Sequence, residues 1–226
     1  VTDTTPSPPR RAWQDRVVVS SYVVIVPVKP PALGKSRLVG LDDARRRGLA
    51  RAFALDTVTA CLAAEHVAQV LVATDDASFA RELGDLGCAT VPDGDTTDLN
   101  SALRQAAAEA LRRWPELTPA ALLADLPALR AGELDRALAS FDAQGPSFVA
   151  DADGVGTTMY TAPYDQFDPQ FGPDSRHAHR VSGALELGLD LPSLRRDVDD
   201  VDGLRAAIAL GVGAASQVVA AELDLT

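Results

Sequence analysis

"YVVIVPVKPPALGKSRL", residues 22–38, decides how this chain is read. Its first seven residues are apolar without alternation, the pattern of a strand covered on both faces in the middle of a mainly parallel sheet. The run then opens into a loop carrying Lys29, Gly34, Lys35 and Arg37. Ligands of open α/β sheets bind beyond the carboxyl ends of the strands, which is where this basic loop falls. "GKS" at 34–36 is not a P-loop, because the position five residues before Gly34 is Lys29 rather than glycine. The dinucleotide pattern fails too, since the stretch 26–40 offers only Gly34 and Gly40. Two readings remain, a phosphate-binding loop and a solvated turn balanced by Asp42 and Asp43.

Lysine usage favours the first. Of 21 lysine and arginine side chains only Lys29 and Lys35 are lysine, and both stand in this loop. Lysine is a compact charge on a flexible stem and suits a moving triphosphate better than a planar fork does.

Outward from that strand, apolar runs alternate with helical patterns. Strands are predicted over 22–28, 68–74, 88–92, 119–125, 147–152 and 157–163. Helices are predicted over 42–65, 77–87, 99–114, 130–143 and 175–188, with a short strand over 193–199 and helix onward to about 220. Such alternation indicates an α/β sandwich with a mainly parallel sheet. The segment 164–175, "YDQFDPQFGPDS", reads as irregular.

The 226 residues fit one domain, with 46% hydrophobic and 23% charged residues, as in a soluble globular protein. Residues 1–20, rich in proline and polar groups and without an apolar h-region, read as a disordered tail rather than a secretory signal. The longest apolar runs are too short and interrupted for a membrane span. Cys61 and Cys88 lack metal or redox spacing and read as core residues in a reducing cytoplasm. The net charge of −11 disfavours nucleic acid and anionic membrane as partners.

A triphosphate usually arrives with Mg²⁺, which takes one or two protein carboxylates. Asp125 in "LLADLP" stands directly after an apolar strand, at the ligand-facing rim. Asp197 and Asp199 of "RRDVDD" are two apart, so in an extended segment both side chains fall on one side. With 32 acidic residues, many such pairs are solvated surface, and "DAD" at 151–153 is a similar pair. His177 and His179, two apart on a helix, point to different faces and give no zinc site. These parts support a nucleotidyl transfer: Lys29, Lys35 and Arg37 hold a triphosphate, and Mg²⁺ sits on Asp125, Asp197 and Asp199.

In this order the chain carries "VPVKPPALGKSRL", "LNSAL", "LLADLPAL", "GVGTT", "FGPDS" followed by His179, and "RRDVDD". Together these motifs resemble the phosphoenolpyruvate / 2-phospho-L-lactate guanylyltransferases of coenzyme F-420 biosynthesis over about residues 22–220. The arginine-rich, lysine-poor composition resembles the actinobacterial type, which uses phosphoenolpyruvate. The resemblance implies a single three-layer α/β/α domain over 21–226 with a mainly parallel mixed sheet. It also implies the Rossmann-like nucleotidyltransferase, or nucleotide-diphospho-sugar transferase, fold. The implied reaction is GTP plus phosphoenolpyruvate giving enolpyruvyl-diphospho-5'-guanosine and pyrophosphate.

By motif, Asp125, Asp197 and Asp199 are implied as Mg²⁺ ligands, with Lys35 and Asp125 catalytic. Lys29, Lys35, Arg37 and Asn100 are implied on the nucleotide, Asn100 having helix capping as its other reading. Thr157, Gly172 and Ser175 are implied on phosphoenolpyruvate, where backbone N–H groups of a glycine-containing loop suit a carboxylate. Asp174 stands where the resemblance implies a small residue. Also compatible with the motifs are another acceptor (2-phospho-L-lactate, 3-phosphoglycerate, a sugar phosphate or molybdopterin) and an inactive nucleotide-sensing domain. A homodimer, and a downstream transferase that takes up a labile product, complete the expected partners.

Overall fold

The computed structural model describes residues 21–28, 42–94, 98–142 and 144–222. The predicted tail and the basic loop with Lys29, Lys35 and Arg37 lie outside the described residues. Seven strands form one sheet: β1 (Tyr22–Pro27), β2 (Val67–Ala73), β3 (Ala89–Val91), β4 (Thr118–Leu122), β5 (Ser147–Ala150), β6 (Thr157–Thr161) and β7 (Leu185–Glu186). Their order is β3-β2-β1-β4-β6-β5-β7. Pairs β1–β2, β1–β4, β2–β3 and β5–β7 are parallel, while β6 runs antiparallel to both β4 and β5.

The helices are α1 (Asp43–Leu62), α2 (Ala77–Asp85), α3 (Leu99–Arg113), α4 (Ala131–Ser140), α5 (Ser175–Val181), α6 (Pro192–Arg195), α7 (Val201–Leu210) and α8 (Ala214–Glu222). They lie on both faces of the sheet, and β1 shows why. Tyr22, Val24 and Val26 face Val58 and Cys61 of α1 and Leu134 and Leu138 of α4. Val23 and Ile25 face Leu103, Ala106 and Ala110 of α3. With both faces covered, an uninterrupted apolar run is the stable choice, each buried Val or Ile contributing roughly 1.5–3 kcal/mol. The Tyr22 hydroxyl, carried into this core, donates to the Leu138 carbonyl at 3.1 Å.

Aspartates start the helices. The side chains of Asp42, Asp76 and Asp98 accept N–H groups in the first turns of α1, α2 and α3. Asp56 does the same from a distance, accepting N–H groups of Ala215 and Ser216 at 3.0 and 2.8 Å where α8 begins.

Two features of the topology place a site. From β1 the chain builds β2 and β3 to one side, then crosses through α3 to β4 on the other, so the crevice beyond β1 and β4 is a topological switch point. The reversal of β6 brings its first residue, Thr157, beside Ala150, the last of β5. A strand that starts where its neighbours end puts Thr157 on the same rim as the residues after β4.

The C-terminal part differs from the sequence reading. The helix predicted over 175–188 stops at Val181; Gly183, at φ 92°, turns the chain so that Leu185–Glu186 joins the sheet edge as β7. The strand predicted over 193–199 is instead α6 followed by an irregular segment. Proline at the first turn of a helix costs no backbone bond, and Pro192 occupies that place. Gly211 and Gly213 divide the final helical stretch into α7 and α8.

Candidate active site

Three residues past β4 stands Asp125, half-buried at the rim. Its backbone carbonyl accepts the N–H of Val198 at 3.0 Å, which ties the segment after α6 to the end of β4. The Val198 side chain is fully buried with Leu49 and Phe53 of α1 and Leu204 of α7. Asp197 and Asp199 flank it and face the opposite way, into a cleft of about 550 Å³. Alternation along an extended segment thus delivers both carboxylates to one side without a strand.

The cleft is lined by six aspartates, Asp125, Asp151, Asp153, Asp174, Asp197 and Asp199, and among the described residues no lysine or arginine lines it. Burial first, and then the neighbouring Asp125, Asp199 and Asp151, together push the Asp197 carboxyl up to about 7. Such a place repels anionic substrates unless positive charge offsets the carboxylates. Among the described residues no three acidic, histidine or cysteine side chains make a ready-made ion cage. Mg²⁺ does not require one, because it keeps waters and completes its shell with substrate phosphates. The all-oxygen donor set of Asp125, Asp197 and Asp199, gathered in one cleft, fits a hard divalent cation.

Asp151, only noted in the sequence as half of an acid pair, builds the next wall. Its carboxylate accepts the N–H groups of Val155 at 2.9 Å and Gly156 at 2.6 Å, folding "DGVG" back so that Thr157 begins β6 at the cleft. A Cβ on residue 156 would stand 2.4 Å from the Asp151 Oδ2, so this close approach needs glycine.

Thr157, Gly172 and Ser175 line the same cleft. Gly172, at φ 143°, opens the "FGPDS" turn, and Asp174 takes a left-handed φ of 55°, a sparsely populated conformation for a residue with a side chain. The Ser175 hydroxyl makes no hydrogen bond to any described residue. Six of the sequence-predicted residues therefore meet in one cleft: Asp125, Thr157, Gly172, Ser175, Asp197 and Asp199.

Asn100 does not line it. Its carboxamide donates to the Phe171 carbonyl and accepts the Phe171 N–H, both at 2.8 Å, so it anchors the turn from behind. The capping role at the start of α3 belongs to Asp98. Sequence reasoning did not assign His179, which is fully buried and meets Thr157, Gln170 and Ser175 through its two ring nitrogens. Only its place a few residues after "FGPDS" could have drawn attention to it.

The architecture is shared with solved nucleotidyltransferases. A Desulfovibrio desulfuricans protein described as a nucleotide-diphospho-sugar transferase aligns with TM-score 0.67 at 18% identity, over 91% of this chain and 96% of that one. A nucleotidyl transferase from Methanothermobacter aligns with TM-score 0.53 at 17% identity, over 83% and 97%. These define the fold class.

Sequence comparison goes further: residues 22–191 match the family described as "Guanylyl transferase CofC like", and this chain belongs to that family. Phosphoenolpyruvate guanylyltransferase of Streptomyces coelicolor is 51% identical over 205 residues, covering 89% of this chain and 97% of that protein. The Thermomonospora curvata enzyme of the same name is 47% identical over 205 residues, covering 90% of each.

Proposed function

We propose that this chain transfers GMP from GTP to phosphoenolpyruvate, giving enolpyruvyl-diphospho-5'-guanosine and pyrophosphate, as a step of coenzyme F-420 biosynthesis in the cytoplasm. One observation carries the reading: Asp125, Asp197 and Asp199 line one cleft together with Thr157, Gly172 and Ser175, at the sheet's switch point. Membership of the guanylyltransferase family, and relatives named for phosphoenolpyruvate, support the choice of both substrates.

In this reading Thr157, Gly172 and Ser175 bind the acceptor, and Asn100 and Asp151 hold the turns that carry them. Asp125, Asp197 and Asp199 hold Mg²⁺, which, when bound, offsets the charge of the phosphates and of the departing pyrophosphate. Lys29, Lys35 and Arg37 bind the triphosphate, and a nucleotide contact of Asn100 would use the donor and lone pair that Phe171 leaves over.

A phosphate oxygen of phosphoenolpyruvate attacks the α-phosphorus of GTP. The new P–O bond forms as the bond from the α-phosphorus to the bridging oxygen breaks, and pyrophosphate leaves with that electron pair. The nucleophile is already anionic, so no side chain must take a proton. The protein's work is to bring two anions into line and exclude water.

Asp174 favours a second acceptor. A carboxylate at the rim accepts hydrogen bonds but cannot give them, which suits a free hydroxyl such as that of 3-phosphoglycerate. Pyrophosphate release with Mg²⁺ across four nucleoside triphosphates and a panel of phospho-acids tests both readings. Release with GTP plus phosphoenolpyruvate is expected; turnover only with another nucleotide, or only with a sugar phosphate, contradicts it.

A further inference from the structure

His179 is held from both sides by backbone groups of opposite kind. Its Nε2 receives the N–H of Gln170 at 2.9 Å, so that nitrogen must offer a lone pair. Its Nδ1 faces the Ser175 carbonyl at 2.9 Å, so that nitrogen must carry the proton. Neither backbone group can reverse its role, which fixes the tautomer as neutral Nδ1–H. Burial keeps the ring neutral, holding its pKa down at about 4.

The ring plane is fixed as well. Phe148 and Tyr160 stack on it at centroid distances of 5.3 and 4.9 Å, and Phe171 meets it edge-on at 5.5 Å.

Thr157 Oγ1 lies 3.0 Å from the same Nδ1, and among the described residues this is its hydrogen-bond partner. Because Nδ1 carries the proton, the hydroxyl can only accept from the ring, sharing the N–H with the Ser175 carbonyl. The proton of Thr157 is then left for something else, and Thr157 lines the cleft.

We propose that His179 is the positioning residue of the acceptor wall: its fixed tautomer turns the Thr157 hydroxyl into a donor toward an anionic group of the acceptor, while its ring locks Gln170 and Ser175 around the same spot. This rests on the reading of the cleft as a phospho-acid site. It makes Thr157, whose strand begins at the rim only because β6 is reversed, a hydroxyl of fixed polarity rather than a free rotor.

The test separates polarity from packing. Thr157→Val keeps the shape and removes the hydroxyl; His179→Phe keeps an aromatic ring and removes both nitrogens; His179→Asn keeps an N–H near the Nδ1 position. A hydrogen bond to a charged group implies a rise of about 10- to 100-fold in the KM for phosphoenolpyruvate in Thr157→Val, with the KM for GTP within about twofold. His179→Phe should show the same split, His179→Asn should recover most of it, and in the Thr157→Val background His179→Phe should add less than about threefold.

Equal changes in both KM values, or effects of Thr157→Val and His179→Phe that multiply, overturn the proposal. A wild type inactive with phosphoenolpyruvate but active with another phospho-acid shows failure of the substrate reading alone, and the same split is then read on that acceptor. Nitrogen-15 NMR of the histidine-labelled wild type decides the tautomer without turnover, even if the His179 variants fail to fold. A neutral Nδ1–H ring is expected from about pH 5.5 to 8, and an Nε2–H ring overturns the proposal.

Discussion

Asn100 and Phe171, 71 residues apart, are joined as two peptide groups are joined in a sheet, by a donated and an accepted hydrogen bond of 2.8 Å each. The first turn of α3 and the turn that presents Gly172 and Ser175 therefore move together. Asn100→Ala leaves two half-buried backbone groups of Phe171 without their partner, a loss of about 1–3 kcal/mol. Asn100→Asp should cost more despite its near-identical shape, since a carboxylate cannot donate and faces the Phe171 carbonyl. Urea denaturation of both variants checks the order; equal stabilities would show that the pairing is not what holds the turn.

Buried His179 should make the fold sensitive to acid. Its folded pKa of about 4 lies below the ordinary value near 6.5, because burial disfavours the charged ring while nearby Asp168 and the Ser175 carbonyl favour it more weakly. A lowered pKa contributes stability that is present above about pH 6.5 and lost as pH falls toward 4, amounting to roughly 3 kcal/mol. Relative to His179→Phe, the wild type should lose stability more steeply across that window. Parallel curves in denaturant series at several pH values would contradict the neutral buried ring.

Gly156→Ala puts a Cβ where the Asp151 carboxylate now sits. The carboxylate must withdraw from the N–H groups of Val155 and Gly156, so the turn that starts β6 loosens. A loss of about 1–3 kcal/mol is expected, with a raised KM for the acceptor. A crystal structure of the variant with Asp151 and Thr157 unmoved would refute this account of the turn.

The strands of the sheet's parallel half were legible because burial on both faces leaves a continuous apolar run, as in "YVVIVPV". Asp125 was legible for a related reason: an acid directly after such a run can only be at the rim. Asp197 and Asp199 were expected on one side through a predicted strand, and they share one cleft although residues 193–199 form no strand. The period of two survives in the irregular segment because buried Val198 anchors it between them. β7 left no trace, since two residues at a sheet edge carry no period. Asn100 and His179 were not legible as structural anchors, because their partners, Phe171, Thr157 and Gln170, are fixed by packing across distant parts of the chain.

The cleft that gathers Asp125, Asp197 and Asp199 with Thr157, Gly172 and Ser175 should join GMP to a phospho-acid. This is tested most directly by following α-labelled GTP with phosphoenolpyruvate and Mg²⁺ in the wild type and in Asp125→Asn. The wild type should move the label into a new diphosphate-linked product. Asp125→Asn should fold with a native circular dichroism spectrum and form that product at least about a thousandfold more slowly. Label remaining in GTP with the wild type, or wild-type rates in Asp125→Asn, would contradict it.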